Sequence, residues 1–145
     1  MRAIACFALA LLLAACSDST GTSGEVRVAT RASAYLLHGG PDPYVVVEFT
    51  VKNLGSTPLN LFDCGGSVSP VDLEQRQGAE WVRVGGAFCP LPIYPAHPVV
   101  IAPGETGEGL TFVSAAGKYR VRMPIPGSGD EEPTRYAISP AFVVY

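Results

Sequence analysis

Proline and glycine interrupt this chain so often that a long helix has no room in it. The sequence holds 16 glycines and 13 prolines, spread from residue 21 to residue 140. Proline removes a backbone donor and glycine is a poor helix former, so neither is well tolerated inside a helix. Short strands joined by turns are therefore the structure that the sequence favours.

Alternation of apolar and polar residues supports this interpretation. Segment Tyr44–Asn53 places Val45, Val47 and Phe49 on one face, and residues 118–123 alternate in the same way with cations on the other face. Seven or eight strands at this spacing predict an antiparallel β-sandwich. The predicted strands are Val26–Leu37, Tyr44–Asn53, Pro58–Phe62, Val71–Gln77, Glu80–Gly85, Glu108–Val113, Lys118–Ile125 and Ala137–Tyr145.

Four local features complete this prediction. Trp81 is expected to pack on a sheet face of its hairpin. Met123 falls in the apolar phase of its strand and is expected to lie in the core. The connection Gly85–Gly104 contains five prolines and is expected to be extended and stiff. The last strand is expected to be exposed and available to pair with another chain.

The first residues have the dimensions of a secretory leader. An apolar run follows Arg2 and is shorter than the roughly 20 residues that span a bilayer. It ends in Leu13-Ala14-Ala15-Cys16, which resembles a bacterial lipobox. That resemblance implies a signal peptide at residues 1–15, lipid attachment at Cys16, a tether over residues 16–24 and a folded domain over 25–145. Ser17 implies sorting to the outer membrane in a cell that has two membranes.

The chain beyond the predicted leader is acidic. The full sequence has 13 Asp and Glu and 10 Lys and Arg. Removal of the leader takes away one of these cations, Arg2, and none of the acidic residues. The cations form no run, so binding to nucleic-acid phosphates is not expected. We expect attachment to a bacterial envelope membrane through the lipid, and no cofactor.

The four cysteines are expected to have different fates. Of the four, Cys6 leaves with the leader and Cys16 would be acylated, so Cys64 and Cys89 remain. A disulfide between them would close a loop of about 25 residues and stabilise the fold by roughly 3 kcal/mol. The alternative is a pair of free thiols or soft metal ligands.

One segment carries a resemblance to a known fold. Residues Ala115–Val121 resemble the tyrosine corner of immunoglobulin-like domains, in which a hydroxyl, here that of Tyr119, bonds the backbone across the corner. The chain also resembles bacterial Ig-like lipoproteins and, distantly, BsuPI-like proteinase-inhibitor domains. This resemblance is carried by the turn at residues 53–59, the hairpin with Trp81 and residues 101–105. The resemblance covers about residues 44–125 and implies an Ig-like sandwich. It carries over no inhibitory residue.

No catalytic pattern stands out. The sequence has no Gly-x-Ser-x-Gly motif, and His38 and His97 lie in segments rich in glycine and proline. Closely spaced Cys and His ligands are also missing, so no metal site is predicted. We therefore predict a non-enzymatic, lipid-anchored module that recognises another envelope protein or polymer, or serves as a structural component.

The candidate binding loops are expected to share one end of the sandwich. They comprise Leu54, Gly55, Ser56 and Thr57 in one turn, and Asp130, Glu131 and Glu132 in the loop between the last two predicted strands. An alternative is a proteinase inhibitor that presents the proline-rich segment Cys89–Pro98. A less favoured one is a metal-binding protein that uses the two cysteines together with Asp63 and His97.

Overall fold

The described part of the chain is built from β-strands. The computed structural model describes residues 24–63, 67–69, 71–87, 97–125 and 135–145. Within those ranges no helix is long and apolar enough to cross a membrane. The strands are β1 (Val26–Thr30), β2 (Ala34–Tyr35), β3 (Val45–Asn53), β4 (Leu59–Asp63), β5 (Val68–Ser69), β6 (Val71–Gln77), β7 (Glu80–Ala87), β8 (His97–Ile101), β9 (Thr106–Val113), β10 (Gly117–Ile125), β11 (Arg135–Ile138) and β12 (Phe142–Val144).

Strand β3 is the centre of the first sheet, which has the order β1-β3-β9. Its odd-numbered residues from Val45 to Asn53 are buried, and most even-numbered ones are exposed, as the alternation predicts. Neighbouring β9 carries a glycine where the core leaves no space. A Cβ on Gly109 would lie 2.3 Å from Cζ of Phe49, so this position accepts glycine alone without rearrangement.

The second sheet has the order β2-β12-β10-β6-β7, and β11 pairs with the other part of β10. Strand β10 buries Tyr119, Val121 and Met123, which confirms the predicted core position of the methionine. Strands β6 and β7 form the predicted hairpin, and Gly78 at its turn has φ of 59°. That left-handed conformation costs glycine little and other residues more.

A small third sheet, β5-β4-β8, was not predicted as such. Strand β8 lies inside the connection that is expected to be extended and stiff, and it pairs along the whole of β4. Pro98 fits because β8 is an edge strand of this sheet, where a missing N–H is tolerated. Ser67, next to β5, ties the small sheet to the first one: its hydroxyl accepts from Leu110 N at 2.9 Å and donates to Leu110 O at 3.1 Å.

Two predicted strands are broken in the structure. The first becomes β1 and β2, and the last becomes β11 and β12, because Pro140 cannot donate to the ladder. Ser139 bridges that break, since its backbone N–H donates to Val121 O and its hydroxyl accepts from Val121 N, both at 2.9 Å. The described residues thus form twelve strands rather than seven or eight.

The prediction of an exposed last strand is wrong. Strand β12 lies between β10 and the short β2, to which it pairs in parallel. Tyr145 continues this pairing, because its backbone N–H donates to Tyr35 O and its carbonyl accepts from Leu37 N, both at 3.0 Å. Both edges of β12 are therefore occupied.

The two larger sheets pack face to face around one core, which confirms the all-β sandwich. With β1, β3, β6, β7, β9, β10 and β12 taken as strands A, B, C, C′, E, F and G, the neighbours are A-B-E and G-F-C-C′, as in an Ig-like domain. The hydroxyl of Tyr119 donates to Ala115 O at 2.9 Å, which is the contact expected of a tyrosine corner. Gln75 Nε2 donates to the same hydroxyl at 3.0 Å.

Candidate functional site

The predicted turn Leu54–Thr57 lies directly after β3 and is held by one buried side chain. Asn53 Nδ2 donates to Thr57 O at 2.8 Å and to Ile101 O at 2.9 Å. Its Oδ1 accepts from Gly55 N at 2.9 Å. Because the amide of Asn53 is bonded on one side to the turn and on the other to Ile101 of β8, it fixes the shape of the turn and offers nothing to a ligand.

A groove of about 430 Å³ lies beside this turn. The carboxylate of Glu25 and the guanidinium of Arg135 form an ion pair across it at 3.0 Å. The remaining lining includes Val26, Gly55, Thr57, Pro58, Asn60 and Ile125. We call this end of the sandwich, with Glu25, residues 54–57 and Arg135, the tether end, because β1 begins here and the predicted tether precedes β1.

The second predicted loop is seen only through the residues that border it. Ile125 and Arg135, on either side of residues 126–134, line the same groove as Gly55 and Thr57. Asp130, Glu131 and Glu132 themselves lie outside the described residues, so their place at the tether end stays a prediction. The same holds for the lipid-attachment Cys16, for the pair Cys64 and Cys89, and for residues 89–96 of the proposed inhibitory segment.

The histidines and their neighbours form no metal site in the described part of the chain. His97, whose proline-rich segment is typical of a loop, instead begins β8, where it stands opposite Asp63 of β4. His38 Nδ1 lies 3.2 Å from Tyr44 O. The described residues contain no group of three His, Cys, Asp or Glu side chains that is close enough to hold a metal ion.

Sequence reasoning missed a second surface, on the outward side of the β7-β6-β10 sheet. Here Arg120 of β10 stands opposite Glu74 of β6, and Arg122 stands opposite Asp72. Arg120 Nε donates to Glu74 Oε2 at 2.6 Å, and Arg122 lies 3.6 Å from both carboxylates. Arg83 of β7 approaches Asp72 from the other side at 2.9 Å. We call this surface the arginine face; it comprises Asp72, Glu74, Arg76, Trp81, Arg83, Lys118, Arg120, Arg122 and Tyr136.

Aromatic rings order these guanidinium groups. Half-buried Trp81 lies under Arg120 and Arg76, whose Cζ atoms are 4.4 and 5.6 Å from its ring centre. Tyr136 lies under Arg122 at 3.5 Å. Stacking uses the flat side of a guanidinium and leaves the N–H groups in its plane free to donate elsewhere. Trp81 thus packs on a sheet face, as predicted, although the face is the outer one.

The arginine face concentrates positive charge in an acidic protein. It holds five cations against two carboxylates, whereas the other described residues hold four cations against seven carboxylates. Arg83 has 68% of its side-chain area exposed, while Glu74 has 8%. The carboxylates are therefore covered by arginines, and the positive groups are the ones that a partner meets.

The opposite end of the sandwich, which we call the far end, carries exposed aromatic residues. Tyr44 and Phe112 meet edge to face with their ring centres 6.0 Å apart, and both are more than half exposed. Lys118, at the start of β10, also lies toward this end. The far end and the tether end are separated by the length of β3.

The arginine face had one visible signal in the sequence. The alternation of Lys118, Arg120 and Arg122 marks one side of a strand as cationic. Trp81 and Arg83 come from a hairpin about 40 residues earlier, and only the pairing of β6 with β10 brings them together. A single sequence does not state which strands are neighbours.

No protein-family model matches the chain, and no curated protein sequence matches it. The fold defines the class: an all-β antiparallel sandwich with Ig-like strand order. A fold of this kind hosts many functions, so function has to be argued from the surfaces.

Proposed function

We propose that this chain is a non-enzymatic, lipid-anchored recognition module of the bacterial cell envelope. In this proposal the arginine face binds an anionic envelope protein or polymer. The observation that carries it is the accumulation of five cations and two aromatic rings on one outward sheet face of an acidic chain. The anchor is supported by Leu13-Ala14-Ala15-Cys16 in the sequence.

The arrangement of the face suits binding to carboxylates or phosphates. Arginine presents N–H groups in a fixed plane that matches both anions, and a stacked guanidinium has lost part of its freedom before a partner arrives. Arg76 and Arg83 are the exposed arginines of the face, and they lie on the neighbouring strands β6 and β7. The carboxylates beneath them hold Arg120 and Arg122 in place rather than competing for the surface.

The same geometry favours binding over catalysis. The two carboxylates of the face are already paired with three of its arginines, namely Arg83, Arg120 and Arg122. The arginines present charge and a planar set of N–H groups, which suits holding an anion in a fixed orientation.

The anchor and the recognition surface need separate tests. Growth with a fatty-acid probe should label the wild-type chain and leave Cys16→Ser unlabelled. An unlabelled wild-type chain would contradict the anchor without touching the binding proposal.

Recognition is tested with polyglutamate and polyphosphate as probes, on the full chain in a neutral detergent. We expect binding that weakens with salt and falls about tenfold in Arg76→Gln/Arg83→Gln. The matched control is Arg31→Gln/Arg135→Gln, which removes the same charge and breaks two exposed ion pairs elsewhere. An equal loss in both variants, or no binding to either probe, would rule out the arginine face.

A further inference from the structure

Two cations face each other on the outer side of the first sheet at the tether end. Arg27 of β1 and Lys52 of β3 are direct partners in the antiparallel register, and both are exposed. None of the described carboxylates forms an ion pair with either of them. Like charges directly opposite each other destabilise a sheet, so this pair works against folding. A negative ligand bound to both cations would make the contribution of the pair to stability favourable.

The predicted anchor identifies what lies next to this pair. Eight residues, 17–24, separate Cys16 from Glu25, where the described chain begins to enter β1. A chain of that length rich in Gly and Ser has a mean end-to-end distance of about 16 Å. Strand β3, which runs from the far end to the tether end, has nine residues and is about 30 Å long. The lipid therefore holds the tether end, rather than the far end, close to the membrane.

An apolar side chain stands beside the two cations. Leu54 is 43% exposed and follows Lys52 by two residues. Its backbone N–H donates to Glu25 O at 2.7 Å, which fixes it next to the point where the tether joins the fold. The carboxylate on the same face, that of Glu25, is paired with Arg135. Two cations beside an exposed apolar residue match a membrane surface, where anionic headgroups lie above the acyl chains.

We propose that the tether end docks on the anionic headgroups of the membrane that carries the lipid, through Arg27, Lys52 and Leu54. This inference rests on the lipid anchor of the proposed function. It defines how the folded domain is oriented relative to the membrane. The turn at residues 54–57 would then face lipid rather than a protein partner. Anionic headgroups would repel Asp130, Glu131 and Glu132, so this proposal replaces the expectation that these residues share the docking surface with the turn. The far end, and the part of the arginine face that lies nearest to it, would point away from the membrane.

The lysines of the sequence offer a test without any substitution. Lys52 lies at the tether end, and Lys118, which is the other lysine, lies toward the far end. The lipidated full chain is incorporated into vesicles of phosphatidylglycerol and phosphatidylethanolamine, and its amines are labelled with a water-soluble reagent. The rate at each lysine is compared with its rate in a neutral detergent. We expect Lys52 to react about fivefold more slowly on vesicles and Lys118 to be unchanged.

Substitutions then show whether Lys52 is protected by binding to anionic headgroups or only because the tether keeps it near the membrane. Arg27→Gln should restore most of the reactivity of Lys52, whereas Arg31→Gln, at the other end of the same strand pair, should not. Vesicles of phosphatidylcholine alone should protect Lys52 less than anionic vesicles do. A circular dichroism spectrum of each variant checks that the fold is retained.

The results that would overturn the inference are distinct. Protection of Lys118 instead of Lys52 would place the aromatic far end on the membrane. Equal reactivity of both lysines on vesicles and in detergent would mean that the domain does not dock. In either case incorporation of the fatty-acid label at Cys16 would leave the anchor standing, and only its loss would remove the basis of both proposals.

Discussion

The guanidinium carbon of Arg120 lies 4.4 Å from the ring centre of Trp81, while its Nε donates to Glu74 at 2.6 Å. One side chain thus joins three strands, because Trp81 belongs to β7, Glu74 to β6 and Arg120 to β10. The outer face of the sheet is held by this contact and by its neighbour, the stack of Arg122 on Tyr136.

Replacing Trp81 with Leu should weaken both the fold and the arginine face. The substitution removes the ring that lies under Arg120 and Arg76, and each such contact is worth about 0.5 kcal/mol or more. We expect a loss of about 1 kcal/mol in the free energy of unfolding, measured in urea by circular dichroism. Trp81→Phe keeps an aromatic ring and should lose less, so equal losses would contradict a stacking role.

Glu74→Gln, which breaks a buried ion pair, should be far more destabilising than Glu48→Gln, which breaks an exposed one. Glu74 is almost fully buried between Arg120 and Arg122, and its neutralisation leaves Arg120 without its carboxylate partner and Arg122 with Asp72 alone. A loss of about 3 kcal/mol is expected from breaking a buried pair. The control Glu48→Gln breaks the exposed pair with Arg31 and should leave the unfolding free energy close to that of the parent.

Tyr119 should make stability fall at alkaline pH. Burial raises the pKa of Tyr119 above its usual value near 10. The folded state therefore favours the protonated hydroxyl, and this contribution is fully present below about pH 10 and is lost as pH rises through the folded-state pKa. Unfolding in urea from pH 8 to 11.5 should show a decline that is smaller in Tyr119→Phe. The same variant should lose about 1 kcal/mol at pH 8, because Ala115 O loses its donor.

Gly109→Ala should be destabilising because of Phe49. The added Cβ would overlap the aromatic ring, and overpacking of this kind costs about 1–3 kcal/mol. In the double variant Gly109→Ala/Phe49→Leu the cost should be smaller than the sum of the two single costs. Gly39→Ala is the control, because a Cβ there meets nothing within 4 Å.

Cys64 and Cys89 should give no free thiol in the mature, unfolded chain under non-reducing conditions. A disulfide between them would contribute about 3 kcal/mol, so Cys64→Ser/Cys89→Ser should shift the urea midpoint downward by a corresponding amount. Two titratable thiols, together with zinc retained after dialysis, would instead favour the metal-binding alternative near Asp63 and His97.

Local features were predictable because they depend on neighbours in the sequence. The alternation of β3, the turn of the β6–β7 hairpin at Gly78 and the hydroxyl contact of Tyr119 all lie within a few residues of the motif that predicts them. Strand β8 was not predictable in the same way, since Pro98 argues against a strand until β4 is known to pair with it on one side. The arginine face also depends on such long-range pairing.

The position of β12 has a consequence for the order of folding. Its neighbour β2 lies early in the described chain, yet Ala34 of β2 pairs with Val143, near the other end of that chain. Until β12 has been made, the second sheet stays open along one side, and the core residue Phe142 is not available to cover Tyr119. The domain therefore closes only once β12 has paired with both β10 and β2.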